Sequence, residues 1–289
     1  MSDNPRASAP APFALPGHQL LSLAGRDAFA FAQAQFMNDV AALPAGHWQW
    51  NGWLTPKGRV IALFALLRLD DEALWLLLPD ADAAALAAQL QRFVFRSKVA
   101  LSQPALHAAG SFAPPAQARG AQFARRQDGS IELDLGGEGG PRTLVIAQAA
   151  AHPDAEAPAR WNAADLAHGL PRLAAAQADA WTPQQLSLDR LRAYSVKKGC
   201  YPGQEIVART HFLGQAKRGL VRLRGVGAGT AGEVFDAPPA SAGARALGRL
   251  VCAAGDEALA VLPVDVGDGP FFIDGQACIR LPLLDGLAR

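Results

Sequence analysis

Cysteine is nearly missing from this chain of 289 residues: only Cys200, Cys252 and Cys278 occur. An odd number at such wide spacing builds neither a disulfide framework nor a paired C-x-x-C metal site. Three thiols also fall short of the four that normally hold an iron-sulfur cluster, so no resident cluster is expected, and a reducing cytoplasm is the natural setting. Long apolar runs are missing too. The most apolar stretch, Val60 to Leu69, is far shorter than the roughly 20 residues of a membrane span. Residues 1–16 are rich in Pro and Ala, with no continuous apolar core of a signal peptide. A soluble, unexported protein without a membrane partner is expected. Charge of one sign is also absent in bulk: 27 Lys+Arg stand against 26 Asp+Glu, a net +1. That excludes charge-driven disorder and a globally basic nucleic-acid coat, so any electrostatic partner must be recruited locally. The six His are scattered, without H-E-x-x-H or a close pair, and no metal site is expected.

What is present is uneven. Lysine is scarce, five residues against 22 Arg, yet Lys197, Lys198 and Lys217 fall within one short stretch. Residues 190–218 hold seven cations (Arg190, Arg192, Lys197, Lys198, Arg209, Lys217, Arg218) against the single Glu205. The neutral average therefore hides a basic focus, which reads either as a solvated loop or as an anion-binding surface.

The chain divides by composition. Residues 1–16 read as a poorly ordered tail. Leu20–Leu23 reads as a strand leading into a helix that carries Phe29, Ala32 and Phe36. Val60–Leu69 and Ala73–Leu78 read as buried strands about a polar turn. Ala83–Phe95 reads as an amphipathic helix behind an Asp82 N-cap, with Leu86, Leu90, Phe93 and Val94 on one face. Residues 108–120 look like a connector. Ile131–Leu135 and Thr143–Ala147 read as strands, and Asn162–His168 as a short helix stopping at Gly169. Beyond residue 219, short apolar runs punctuated by Gly, Pro and Asp suggest an antiparallel barrel or sandwich, with a domain boundary there.

Two segments carry chemistry. In Lys197-Lys198-Gly199-Cys200-Tyr201-Pro202-Gly203-Gln204-Glu205, the glycines allow a tight turn and the lysines favour thiolate, so Cys200 is a candidate reactive thiol rather than a packed one. Cys252 and Cys278 lie in apolar runs and read as core. In Trp48-Gln49-Trp50-Asn51-Gly52-Trp53, three indoles alternate with polar residues, so one strand face could form a stacking wall for a planar ligand, or simply a core. Lys57-Gly58-Arg59 follows as a cationic turn. Asn38-Asp39 reads as a cap or as hydrogen-bonding groups for a ligand ring.

The stretch Lys198-Gly199-Cys200-Tyr201-Pro202-Gly203-Gln204-Glu205, continuing through Arg209, resembles the K-G-C-Y-x-G-Q-E signature of YgfZ-type folate-binding proteins, relatives of the glycine-cleavage T-protein. Gln35–Val40, Lys57–Arg59, Ser97–Val99, Gly169–Pro171, Pro183–Leu186 and Lys217-Arg218 match in the same order. The resemblance implies an α+β, T-protein-like fold in which residues 17–218 form two interlocked subdomains ahead of a barrel over 219–289. It implies tetrahydrofolate or a one-carbon derivative as cofactor, and a role in assembly or repair of iron-sulfur enzymes, including tRNA-thiolating ones. On that reading Cys200 is the reactive group, and Asn38, Asp39, Trp53, Lys57, Arg59, Asp165, Lys198, Gly199, Tyr201, Gly203, Gln204, Glu205 and Arg209 contribute to the folate site, which lies between the Trp48–Arg59 region and the basic loop.

The departures are informative. Aminomethyltransferases carry acidic residues after the glycine turn, whereas here Gly58 is followed by Arg59-Val60-Ile61-Ala62-Leu63. A one-carbon transferase therefore lacks its base. Ala167 stands where the family often has Glu, with Asp165 nearby as a substitute, and Ser187 stands where Asn is common. Besides the accessory factor, an aminomethyltransferase and a module binding RNA or an anionic partner through residues 190–218 remain open readings.

Overall fold

The computed structural model describes residues 11–214, 216–225, 227 and 232–289. In chain order the first part holds β1 (Phe13–Ala14), β2 (Gln19–Ala24), α1 (Ala28–Gln35), β3 (His47–Leu54), β4 (Val60–Arg68), β5 (Ala73–Leu78), α2 (Ala83–Gln91) and β6 (Ala100–Ser102). It continues with β7 (His107–Ser111), β8 (Ala124–Arg125), β9 (Ile131–Asp134), β10 (Thr143–Ala147), α3 (Ala157–Ala167) and α4 (Gln204–Phe212). Then come β11 (Arg218–Arg224), β12 (Glu233–Phe235), β13 (Ala246–Ala254), β14 (Glu257–Pro263), β15 (Phe271–Ile273) and β16 (Gln276–Leu281). The class is α+β, and the last six strands close an antiparallel barrel in the order β11-β14-β13-β12-β15-β16.

Two five-stranded sheets precede the barrel. One runs β3-β4-β5-β2-β6 and the other β1-β7-β10-β9-β8. The chain opens in the second, builds the first, and returns to complete the second, so the two are interlocked. β4 explains why both faces of the first sheet are covered. Successive strand side chains point to opposite faces. Leu63, Ala65 and Leu67 thus join the core against the second sheet, while Ala62, Phe64 and Leu66 join the core under α1 and α2. A strand buried on both faces reads as a continuous apolar run, as this one does.

Several boundaries differ from the sequence reading. Residues 1–10 of the expected tail lie outside the described residues; residues 13–15 are ordered, because Phe13 and Leu15 are buried and β1 pairs with β7. The first four residues of the expected connector, 108–111, lie in strand β7. Its Gly110 leaves room for two aromatic rings: an added Cβ would lie 2.9 Å from ring carbons of both Phe13 and Trp161. The rest of the connector is tied down by Glu132, which accepts from the amides of Ala116, Gln117 and Ala118 at 2.8–3.0 Å. α2 is capped by Asp82, whose carboxylate accepts from Ala85 N at 2.7 Å, but it ends at Gln91, leaving Phe93 exposed. α3 starts five residues earlier than its apolar pattern suggests, since Pro158 is tolerated in a first turn and Asp154 accepts from the amides of Glu156 and Ala157.

After the barrel the chain comes back to the first part. Leu284 N donates to Ala167 O, Trp50 Nε1 donates to Leu287 O at 2.8 Å, and the Arg289 guanidinium lies 5.3 Å from the Trp48 ring centroid. Leu287 is buried in the core between the two sheets.

Candidate functional site

The structure sorts the candidate residues into two places. The first is the Cys200 loop, which packs on the C-terminal end of α1 and on the β3–β4 turn. The last carbonyls of a helix have no partner within it. Lys198 meets them here: its Nζ donates to Gln33 O and Phe36 O at 2.5 Å and to Asn38 O at 3.1 Å. A cation is favoured at that pole of a helix. Burial pulls the Lys198 pKa down to about 8, against the opposite pull of Asp39. All three ammonium donors are engaged, so Lys198 organises the loop.

Its neighbours are equally occupied. Asn38 donates to Trp50 O and Arg192 O, accepts from Asp39 N, and gives its own amide to Asn51 Oδ1. Asp39 accepts from Gln33 Nε2. Tyr201 is buried, donates its hydroxyl to Ser195 O, and is raised in pKa by desolvation and then by Tyr194. Gln204 Nε2 closes the loop on Lys198 O at 3.0 Å. Gly203, at φ +80°, lies against the cationic turn: a Cβ there would sit 2.6 Å from Thr55 O and 2.7 Å from Gly58 Cα. The Lys57–Arg59 turn and the basic loop are therefore in direct contact, with no slot between them for a ligand.

Within this frame Cys200 is exposed, whereas Cys252 and Cys278 are buried. Nothing lies within 4 Å of a Cβ built on Gly199, so the loop is open beside the thiol. Burial pushes the Cys252 thiol up to about 12 and raises Cys278 as well. Lys57, Glu205 and Arg209 are exposed, and Arg59 reaches inward to Ala180 O and Gln185 Oε1. Residues 204–212, inside the segment 190–218 whose charge reads as a solvated loop or an anion-binding surface, form α4. Its polar composition, with only Val207 buried, gave no apolar stripe to detect.

The second place is a cavity between the two sheets, about 10 Å³, lined by His18, Trp48, Trp50, Trp161 and Asp165 among others. The three indoles of β3 do not share a face. Trp48 and Trp50 are two apart and look into this cavity; Trp53, three further on, points to the opposite core, where it meets Phe93 edge-on at 5.8 Å. α3 places Trp161 and Asp165 four residues apart, on one helix face. Asp165 is buried and paired with Arg142 at 2.6 Å and Arg172 at 3.4 Å, and Arg172 also binds Asp80 and Asn162. Arg142 lies 4.7 Å from the Trp161 ring centroid. Burial, then the charges of Arg172 and Arg142, drive the His18 pKa down to about 3, so its ring is neutral.

Trp161 Nε1 and Arg142 Nε and Nη2 are buried without a hydrogen-bond partner among the described residues. Stacking faces, a carboxylate and spare N–H donors are the chemistry that a pterin ring requires. The space is not: about 10 Å³ holds roughly one water. A folate needs one or more of the indoles to move. Sequence reasoning found Trp48, Trp50 and Asp165 but not His18, Trp161, Arg142 or Arg172, which come from distant segments without a shared motif. Among the described residues no group of three or more His, Cys, Asp or Glu could hold a metal ion, and no helix is long and apolar enough to cross a membrane.

No family model matches the chain. Among solved structures, the glycine cleavage system aminomethyltransferase T of Bartonella henselae superposes with a TM-score of 0.66 at 16% identity, over 96% of this chain and 85% of that one. That likeness shows the T-protein fold. Among curated proteins, an uncharacterized protein of Haemophilus influenzae is 27% identical over 205 residues, 70% of this chain and 69% of that protein. The tRNA-modifying protein YgfZ of Edwardsiella ictaluri is 28% identical over 226 residues, 71% of this chain and 68% of that protein. The protein of the same name from Cronobacter sakazakii is 30% identical over 246 residues, 77% of this chain and 74% of that protein. With the Lys198–Glu205 signature seated on a T-protein fold, and with this extent of similarity, the chain belongs to the YgfZ family.

Proposed function

We propose that this protein is a cytoplasmic accessory factor in tRNA modification, serving iron-sulfur enzymes that thiolate tRNA. It acts through the Cys200 thiol and binds a reduced folate, which enters between the sheets only when an indole lining the small cavity there moves aside. The observation that carries this reading is the contrast among the thiols: Cys200 stands exposed on a loop whose neighbours are locked by hydrogen bonds, while the other two are buried. A thiol presented this way is available to a partner without any rearrangement of the fold. The relatives' name, tRNA-modifying protein, supports the process. The aromatic walls and unpaired donors around Asp165 support the ligand class.

Aminomethyl transfer is disfavoured. The β4 residues that face the cavity side are Leu63, Ala65 and Leu67, none able to move a proton. Asp165, the carboxylate at the cavity, is already held by two guanidinium groups. The test is complementation of a strain lacking the gene, read as thiolated nucleosides in digested tRNA. The wild-type chain restores them and Cys200→Ser does not; full restoration by Cys200→Ser overturns the reading. Titration of tetrahydrofolate against Trp fluorescence tests the ligand, and lack of saturable quenching removes it.

A further inference from the structure

Five of the seven exposed large apolar side chains among the described residues lie in two cation-rich segments, 92–98 and 204–213, that border the β3–β4 turn. Phe93 and Phe95 follow α2 and are 44% and 89% exposed, and Phe212 and Leu213 end α4 at 65% and 84%. The two segments flank the β3–β4 turn: Phe93 packs on Trp53 at the end of β3, and Ile206 of α4 touches Gly58. Arg92, Arg96 and Lys98 are exposed in the first segment, Lys57 in the turn, and Lys197, Arg209 and Lys217 around α4. None of these seven side chains forms an ion pair or a hydrogen bond among the described residues. Phe95 stands between Arg92 and Arg96, and Phe212 follows Arg209, with the His211 ring edge-on to it at 4.9 Å.

Exposed aromatic rings separated by unpaired cations match the two repeating parts of a single-stranded nucleic acid, a flat base and a phosphate. A protein partner prefers a continuous apolar centre ringed by polar groups, whereas here the cations break the apolar surface into separate rings. We propose that this surface binds single-stranded RNA, with Phe95 and Phe212 stacking on bases and Arg92, Arg96, Lys57 and Arg209 contacting phosphates. In a tRNA the complementary element is an unpaired loop, which duplex-bound chemistry cannot supply. This deepens the tRNA-linked reading by naming the RNA as a direct partner, and it places the bound strand beside Cys200.

The experiment is fluorescence anisotropy of the full chain with a labelled oligo(U), a duplex RNA of equal length, and polyglutamate as competitor, over a range of salt. Saturable binding is expected to favour the single strand and to weaken linearly in log–log with salt. Phe95→Ala, at a side chain that supports no core, is expected to weaken binding by roughly tenfold, and Arg96→Glu to weaken it and flatten the salt slope. Circular dichroism verifies the fold of both variants. Absence of saturable binding at low salt, wild-type affinity in Phe95→Ala, or equal displacement by polyglutamate overturns the proposal, the last pointing to an acidic protein as occupant. A protein that restores thiolated tRNA through Cys200 yet binds no RNA sinks this inference alone and leaves the accessory role standing.

Discussion

Gly203 and Gly58 meet backbone to backbone: a Cβ on Gly203 would fall 2.7 Å from Gly58 Cα, and one on Gly58 would fall 2.9 Å from Ile206 Cβ. Both adopt positive φ, +80° and +67°. The cationic turn and the Cys200 loop are thus one unit, although about 140 residues separate them in sequence. Gly203→Ala adds both the strain of a left-handed backbone and a steric conflict with Thr55 O. A loss of about 2 kcal/mol or more is expected, read as a lower melting temperature, together with faster proteolysis within residues 197–213. A melting temperature equal to wild type would show that the two segments separate freely.

Native-state alkylation with N-ethylmaleimide is expected to label Cys200 alone. Cys252 and Cys278 are buried and their thiols are raised in pKa by desolvation, so they should react only after denaturation. Peptide mass spectrometry distinguishes the three, and equal labelling of all of them would remove the contrast on which the functional reading rests.

Removing the Asp165 carboxylate leaves Arg142 and Arg172 facing each other in a buried site. Breaking a buried ion pair by deleting one partner typically costs about 3–5 kcal/mol. Asp165→Asn is expected to fall in that range in urea melts, softened by the Asp80 carboxylate that remains on Arg172. A change under about 1 kcal/mol would mean that water reaches the pair.

Glu132 supplies a pH dependence. Burial raises its pKa, but hydrogen bonds from Arg126 and from the amides of Ala118, Gln117 and Ala116 outweigh it and bring the value from 4.5 down to about 2. Because the folded value lies below the unfolded one, the unfolded state binds the proton first. Its contribution to stability, at most about 3 kcal/mol, is complete above pH 4.5 and is lost as pH falls from 4.5 toward 2. Glu132→Gln should be less stable at neutral pH and should flatten the stability profile across that window, measured by urea unfolding at each pH.

The sequence was most legible where a local pattern decided the structure. The unbroken apolar run of β4 announced a strand buried on both sides, and the Lys198–Glu205 signature announced the loop. The three indoles were harder. Their parity along β3 separates Trp48 and Trp50 from Trp53, and a reading of composition without parity put all three on one wall. α4 escaped because a helix with one buried residue, Val207, has no stripe. The cavity escaped for a deeper reason: His18, Arg142, Trp161 and Arg172 converge only through sheet pairing and the return of the chain, and no spacing in sequence encodes that meeting.

The route of the chain through the two sheets bears on how the molecule comes apart. β1 belongs to a sheet whose other strands are made some 90 residues later, and β4 is the common wall of two cores. Neither sheet can melt without stripping cover from the other. Heat and denaturant should therefore meet a single cooperative unit across residues 11–214, in which a worn contact near Phe13 is felt at Phe64, and no fragment cut between the sheets should retain the cavity.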